Sequence, residues 1–183
     1  VNVDTQLIFT TAMNDVESDI IEQSDNHLLE IAYAVKDDYV NRNYSSLDEL
    51  KDNYNVAEIN VVRSDGLITE STDAGVVEEG YNMNDPSLTQ SKEFVDKLLT
   101  EPHFVQKYGP SAKDGIKRKY AAVRLYDDEG KYYGFIQVGC NADQFHKILN
   151  DAVITVTKNR HVGTGGFIAV CDENLKIVSE TGV

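Results

Sequence analysis

One stretch, Leu7 to Asn41, limits what this chain can fold into more than any other. Phe9, Met13, Val16, Ile20, Leu28, Ile31 and Val35 recur at helical spacing, and Ile21 and Ala32 widen the same stripe. The other face is acidic and polar through Asp15, Glu17, Asp19, Glu22, Asp25, Glu30 and Asp37, and no proline interrupts it. The pattern predicts a single amphipathic helix of about nine turns. That is longer than a compact domain of this size needs. It reads as a core helix, as a stalk that pairs with a second copy, or as both in succession. On the last reading the stripe divides, with Ile20 to Val35 against a sheet and Phe9 to Val16 toward a second module or a partner helix.

The rest of the chain is mostly strand and turn. Leu47 to Tyr54 is a short helix with Ser46 as N-cap and Glu49 as its N3 partner. Two β-rich runs between Glu58 and Ser71 flank Ser64-Asp65-Gly66, a strong hairpin signal. Asp73 to Asp85 is rich in Gly, Glu and Asn and reads as a loop. Pro86 to Leu99 reads as a helix capped by Asp85, with Phe94, Val95, Leu98 and Leu99 as its apolar edge. Phe104 to Tyr108 is strand-like and closed by Gly109-Pro110. The clearest strands, Lys119 to Tyr126 and Lys131 to Cys140, are joined by Asp127-Asp128-Glu129-Gly130, with glycine where a positive φ is wanted. Asn141 to Asn159 returns to helical period through Phe145, Ile148, Leu149, Ala152 and Val153. A helix followed by antiparallel strands and further helices predicts an α+β fold.

One internal echo sets the expected domain organisation. Val61 to Ile68 resembles Ala169 to Ile177, one residue longer at its turn, and each is an apolar strand, an acidic turn and an apolar strand after a helix. Gly163, Gly165 and Gly166 break the chain just before the second copy, and Phe167 to Ser179 turns around Asp172-Glu173-Asn174. The expected division is a spine helix at 1–46, a complete module at 47–141, a connecting helix at 142–162, and the truncated start of a second module at 163–183.

Charge and composition remove several function classes. The 31 acidic residues against 17 basic ones give a formal charge of −14, which argues against nucleic acid and against anionic lipid as partners. No apolar run approaches the ~18 residues of a membrane-spanning helix. The sequence begins without methionine and stops within a strand-rich segment, which predicts a piece of a longer chain whose anchor lies outside it. Cys140 and Cys171 lie in apolar, strand-like surroundings that predict buried free thiols, with a bridge between them left open.

Catalytic signatures are missing. His27, His103, His146 and His161 sit at no metal-binding spacing, and neither cysteine belongs to a CxxC pair, so no metal or cofactor is expected. There is no GxSxG, Walker loop or dinucleotide fingerprint, and Gly163 to Gly166 precedes a strand instead of opening a helix. No enzymatic activity is expected.

The strand Lys117 to Tyr126 is more informative. At period two, Tyr120, Ala122, Arg124 and Tyr126 share one face, and Ala121, Val123 and Leu125 share the other. The first set puts a cation and two phenols around a small residue, which suits a ligand pocket, and Gln137 on the partner strand joins it. The competing interpretation is a solvated sheet face covered by tyrosines. Candidate ligand-binding residues are therefore Arg118, Tyr120, Arg124, Tyr126 and Gln137, together with Asp73 and Tyr108 in the neighbouring loops.

Glu101 to Pro110, Lys117 to Val123, Gly134 to Gly139 and Arg160 to Gly166, set after a long N-terminal helix, resemble the double Cache extracellular sensor domains, which are PAS-like. The set looks like the sensor region of bacterial membrane receptors whose output is a sporulation stage II protein E-type serine/threonine phosphatase; histidine kinases and chemoreceptors carry related sensors. This resemblance implies a long helix packed on a PAS-like antiparallel sheet, with a membrane-distal ligand-binding module at 47–141 and a membrane-proximal module starting near Gly163. It also implies an extracellular location, a homodimer formed through the long helix, and a small-molecule ligand. Several members of the family bind amino acids through an aspartate near the end of the last strand of the distal module. Here that strand ends Val138-Gly139-Cys140-Asn141, without an aspartate. Arg118, Tyr120 and Arg124 would instead suit a carboxylate-bearing ligand. The alternative function is a protein-interaction or dimerisation domain with no small-molecule ligand.

Overall fold

The computed structural model describes residues 3–111, 114–158, 160, 169–171 and 176–180. They fall into two compact units, Leu28–Phe145 and Val1–His27 with His146–Val183. The long helix α1 (Val3–Val40) contributes to both.

The larger unit is built on an antiparallel sheet. Its strands are β1 (Glu58–Arg63), β2 (Ile68–Ser71), β3 (His103–Val105), β4 (Gly109–Pro110), β5 (Lys117–Tyr126) and β6 (Tyr132–Cys140), in the order β2-β1-β6-β5-β3 with β4 beside β5. The hairpins read from the sequence supply β1–β2 and β5–β6, and Gly130 has the expected positive φ of 77°. The pairing of β1 with β6 joins the two hairpins across more than seventy residues of chain. It sets Glu58 opposite Gly139 and Asn60 opposite Gln137, while β5 places Tyr120 and Ala122 on the far side of those same two positions.

One face of the sheet carries Ile59, Val61, Ala121, Val123, Leu125, Ile136 and Val138, all buried. In α1, Leu28, Ala32 and Val35 have no exposed surface and form one stripe. The helix is tied to both edge strands: Tyr33 OH and His103 Nδ1 lie 3.0 Å apart, and Tyr39 OH donates to Glu70 at 2.6 Å. Burial is narrower than the stripe expected from Ile20 to Val35, because Ile20 and Ile31 are only half-buried and Ile21 is 49% exposed. Val16 is also half-buried, and the side chains of Phe9 and Met13 lie outside the described residues.

The opposite face packs Val62, Ile68, Tyr120, Ala122 and Phe135 against Val76 of α3 (Ala74–Glu78) and Phe94, Val95 and Leu98 of α4 (Thr89–Leu98). Two local expectations change here. The segment read as one loop from Asp73 contains α3, which Asp73 caps by accepting from Gly75 N at 3.1 Å. Helix α4 starts at Thr89 and not at Pro86, because Asp85 spends its carboxylate on Ser87, accepting from its N–H at 2.8 Å and its hydroxyl at 2.7 Å. Before α2 (Leu47–Asn53), Ser46 accepts from Glu49 N as expected, and the Glu49 carboxylate returns to the backbone N–H groups of Ser45 and Ser46, with Ser45 the stronger partner.

The smaller unit contains the first part of α1, most of α5 (Ala142–Lys158) and the hairpin β7 (Ala169–Cys171) and β8 (Ile177–Glu180). Ile148, Ala152 and Thr157 of α5 are buried, and Arg160 pairs with Asp19 of α1. The hairpin pairs Ala169 with Glu180, Val170 with Ser179 and Cys171 with Ile177. Its register repeats that of β1–β2, where Asn60, Val61 and Val62 pair with Ser71, Glu70 and Ile68, with the same irregularity before the last pair; the last paired positions are six apart in both, not one residue further apart in the second as the sequence comparison predicts. Residues 161–168, with the glycines read as a chain break, and the turn at 172–175 lie outside the described residues.

Both thiols are free, but only Cys140 is buried; Cys171 is exposed, contrary to the apolar surroundings that its strand suggested. Burial pushes the Cys140 thiol up to about 12, and the hydrogen bond to Asp38 pushes the Tyr54 hydroxyl up to about 12 as well. Both folded values lie above the ordinary ones, 9.0 for the thiol and 10.0 for the phenol. Their stabilisation is therefore complete below about pH 9 and is lost as pH rises toward 12. Denaturant melts should show stability falling over that alkaline window. A thiol reagent at pH 8 should titrate Cys171 in the native protein and Cys140 only after unfolding; rapid modification of both would contradict this burial.

Candidate functional site

The second face of the sheet carries a partly open cavity of about 40 Å³. Its floor comes from alternate residues of neighbouring strands: Glu58 and Asn60 of β1, Gln137 of β6 and Tyr120 of β5. Ile68, Val76, Met83 and Phe94 supply apolar walls, and Gln90, Ser91, Gln106 and Ser111 add polar groups.

The floor is a connected hydrogen-bond network. Asn60, 2% exposed, donates through Nδ2 to Glu58 Oε1 at 2.7 Å and to Gln137 Oε1 at 3.1 Å, and its Oδ1 accepts from Ser71 Oγ at 2.6 Å. Tyr120 OH donates to Glu58 Oε2 at 3.1 Å. Burial first, and the Glu58 charge next, hold the Tyr120 hydroxyl well above its ordinary pKa, so it stays a neutral donor. Gly139 makes this bond possible. A Cβ there would lie 2.5 Å from Tyr120 Cε1, so the glycine leaves the space through which the phenol crosses β6 toward Glu58.

Of the residues singled out from the sequence, Tyr120 and Gln137 line the cavity. Arg118 stands behind it, with Nε 3.9 Å from Glu58 Oε2 and Nη1 donating to both oxygens of Asp114 at 2.7 and 2.9 Å. Arg124 does not take part. It sits at the far end of β5, where Nε donates to Leu98 O at 2.6 Å and Nη2 to Leu99 O, closing the C-terminal end of α4. Its guanidinium lies 4.6 Å from the Tyr132 ring centroid, and Nη1 donates to Tyr126 OH at 3.4 Å. Tyr126 is 44% exposed, Asp73 caps α3, and Tyr108 stacks on Phe145 at 4.9 Å; none of the three lines the cavity. The cavity side of the face at Tyr120, Ala122 and Gln137 is buried, not solvated. Glu58 and Asn60 were missed, because in the sequence they are only the polar positions of an otherwise apolar strand. No cluster of three metal-ligating side chains occurs among the described residues.

The fold is similar to that of solved sensory domains. The sensory domain of the Campylobacter jejuni chemoreceptor Tlp3 (CcmL), with isoleucine bound, aligns over 96% of this chain and 73% of its own at TM-score 0.51 and 13% identity. The ligand-binding domain of the Pseudomonas aeruginosa PAO1 amino acid chemoreceptor PctC, in complex with GABA, aligns over 97% and 76% at TM-score 0.53 and 14% identity. The fold is that of a Cache-type sensor domain. The Escherichia coli DcuS sensor domain also aligns, over 72% of this chain and 98% of its own, at TM-score 0.49 and 12% identity. No protein-family model matches the chain, and no curated protein matches it. Within this Cache fold the floor of the cavity is formed by β1, β6 and β5, and the Glu58 carboxylate stands one strand over from the Gly139 position where the sequence offered no acid.

Proposed function

We propose that this chain is the extracytoplasmic small-molecule sensor region of a bacterial transmembrane signalling receptor, with its ligand in the cavity floored by Glu58, Asn60, Tyr120 and Gln137. The observation that carries the proposal is that cavity: a concave, mostly apolar site with convergent polar groups is the form small-ligand sites take. The isoleucine- and GABA-bound neighbours support the same class of ligand, a small metabolite. The repeated hairpin register of β1–β2 and β7–β8 supports a second module beginning near Gly163, with 47–141 as the membrane-distal one. In this proposal α1 pairs with its copy in a dimer, the anchor lies in segments outside the chain, and the output is a phosphatase or histidine kinase. No helix among the described residues is long and apolar enough to cross a membrane.

A ligand can shift such a receptor only by as much as its affinity differs between the two signalling states. The test is a thermal-melt screen of the domain against amino acids, amines and carboxylates, followed by the hits applied to cells carrying the full receptor. At least one compound should raise the melting temperature and change output. If none does either, the domain senses no small molecule and the dimerisation or protein-interaction alternative takes its place.

A further inference from the structure

Resting on the sensor function above, we propose that the cavity takes a short cationic amine of amino-alcohol type, with no carboxylate, held between the Glu58 carboxylate and the Gln137 amide. Glu58 is the only acidic side chain, and no lysine, arginine or histidine occurs, among the described residues lining the cavity. Its two oxygens accept one hydrogen bond each, from Asn60 and Tyr120, and Oε2 also faces Arg118 Nε at 3.9 Å from behind, which leaves lone pairs on the cavity side for an ammonium group.

Among the described residues, no cation lines the cavity. Arg118 donates to both oxygens of Asp114 and lies 3.9 Å from Glu58 Oε2, so its guanidinium is shared between two carboxylates behind the cavity. Arg124 is bound to the carbonyl end of α4, and Lys119 is on the opposite face of β5 with its ammonium 5.6 Å from the Phe145 ring centroid. A ligand carboxylate placed beside Glu58 would meet like charge with no cation among the described lining residues to offset it. The chain's overall charge of −14 adds a field that draws cations and repels anions.

Gln137 supplies the second contact. It is 4% exposed, its Oε1 is used by Asn60, and among the described residues its Nε2 donates to no protein acceptor. An amide donor open to the cavity is matched by an acceptor on the occupant, and a hydroxyl oxygen supplies one without charge. The 40 Å³ beside Glu58 and Gln137 suits a group of a few heavy atoms.

Calorimetric titration of the unmodified domain with four related compounds separates the possibilities. Ethanolamine carries both features, serine adds a carboxylate, 3-hydroxypropanoate replaces the amine with one, and N-acetylethanolamine removes the charge. Ethanolamine should bind about tenfold or more tighter than each of the others, the range of a charge-assisted hydrogen bond. Glu58→Gln, which keeps the shape and loses the charge, should weaken ethanolamine by a similar factor while the near-ultraviolet circular dichroism is retained. Serine or 3-hydroxypropanoate binding as tightly as ethanolamine overturns the charge assignment and leaves the sensor function standing. Binding by none of the four, with no hit in the wider screen, overturns both.

Discussion

Replacing Gly134 with alanine is expected to destabilise the larger unit by about 3 kcal/mol or more, near the upper end of single substitutions. A Cβ at this position would stand 2.1 Å from the carbonyl oxygen of Val62 and 3.1 Å from Arg63 Cα. Both obstacles are backbone, so no rotamer change relieves the overlap. Gly134 lies on β6, opposite Arg63 of β1 and Leu125 of β5, so moving either neighbour breaks pairing in the middle of the sheet. The next pair along β5–β6 is Tyr126 with Tyr132, which leaves Tyr133 as the extra residue of a bulge that brings β1 unusually close. Urea unfolding of the variant should show the loss as a lower midpoint with an unchanged slope. A loss below about 1 kcal/mol would mean that β1 can slide away from the bulge, and that the register between β1 and β6 is not rigidly fixed.

That register also separates what the sequence made legible from what it hid. The hairpins were readable because a turn such as Asp127-Asp128-Glu129-Gly130 and the alternation on either side of it are local signals. The long helix was readable from its period, and its fully buried part, Leu28, Ala32 and Val35, is the part of the stripe nearest one repeat. The site was harder. Alternation correctly put Tyr120 and Arg124 on one face of β5, but residues four apart on a strand are about 13 Å apart. One face therefore serves two purposes, a cavity at Tyr120 and a clamp on the end of α4 at Arg124. Glu58 became visible only through the non-local pairing with Gly139, which sets it across from Tyr120. Asp85 and Asp73 show the local version of the same limit. Each is an acceptable helix cap by type, and which one caps is decided by where the neighbouring backbone N–H groups point.

Phe94→Ala should have a comparable effect on stability, a loss of about 3–5 kcal/mol, and it also probes the cavity. Phe94 is 1% exposed, and its ring meets Phe104 edge-on at 5.0 Å and Tyr120 edge-on at 6.4 Å. Truncation removes both aromatic contacts and leaves a hole continuous with the existing 40 Å³, because Phe94 lines that cavity. The melting temperature should fall by about 10 °C or more. The enlarged space approaches the ~150 Å³ cavities that take benzene, so it should accept a ring that the intact protein excludes. Benzylamine carries both the missing ring and an ammonium group for Glu58. It should raise the melting temperature of the variant, leave the unmodified domain unchanged, and outperform toluene, which fills the same space without the charge. Equal rescue by toluene would mean that the hole is reached but Glu58 is not. If neither compound rescues the variant, α4 has collapsed onto β5, and the wall of the cavity is softer than its fully buried side chains imply.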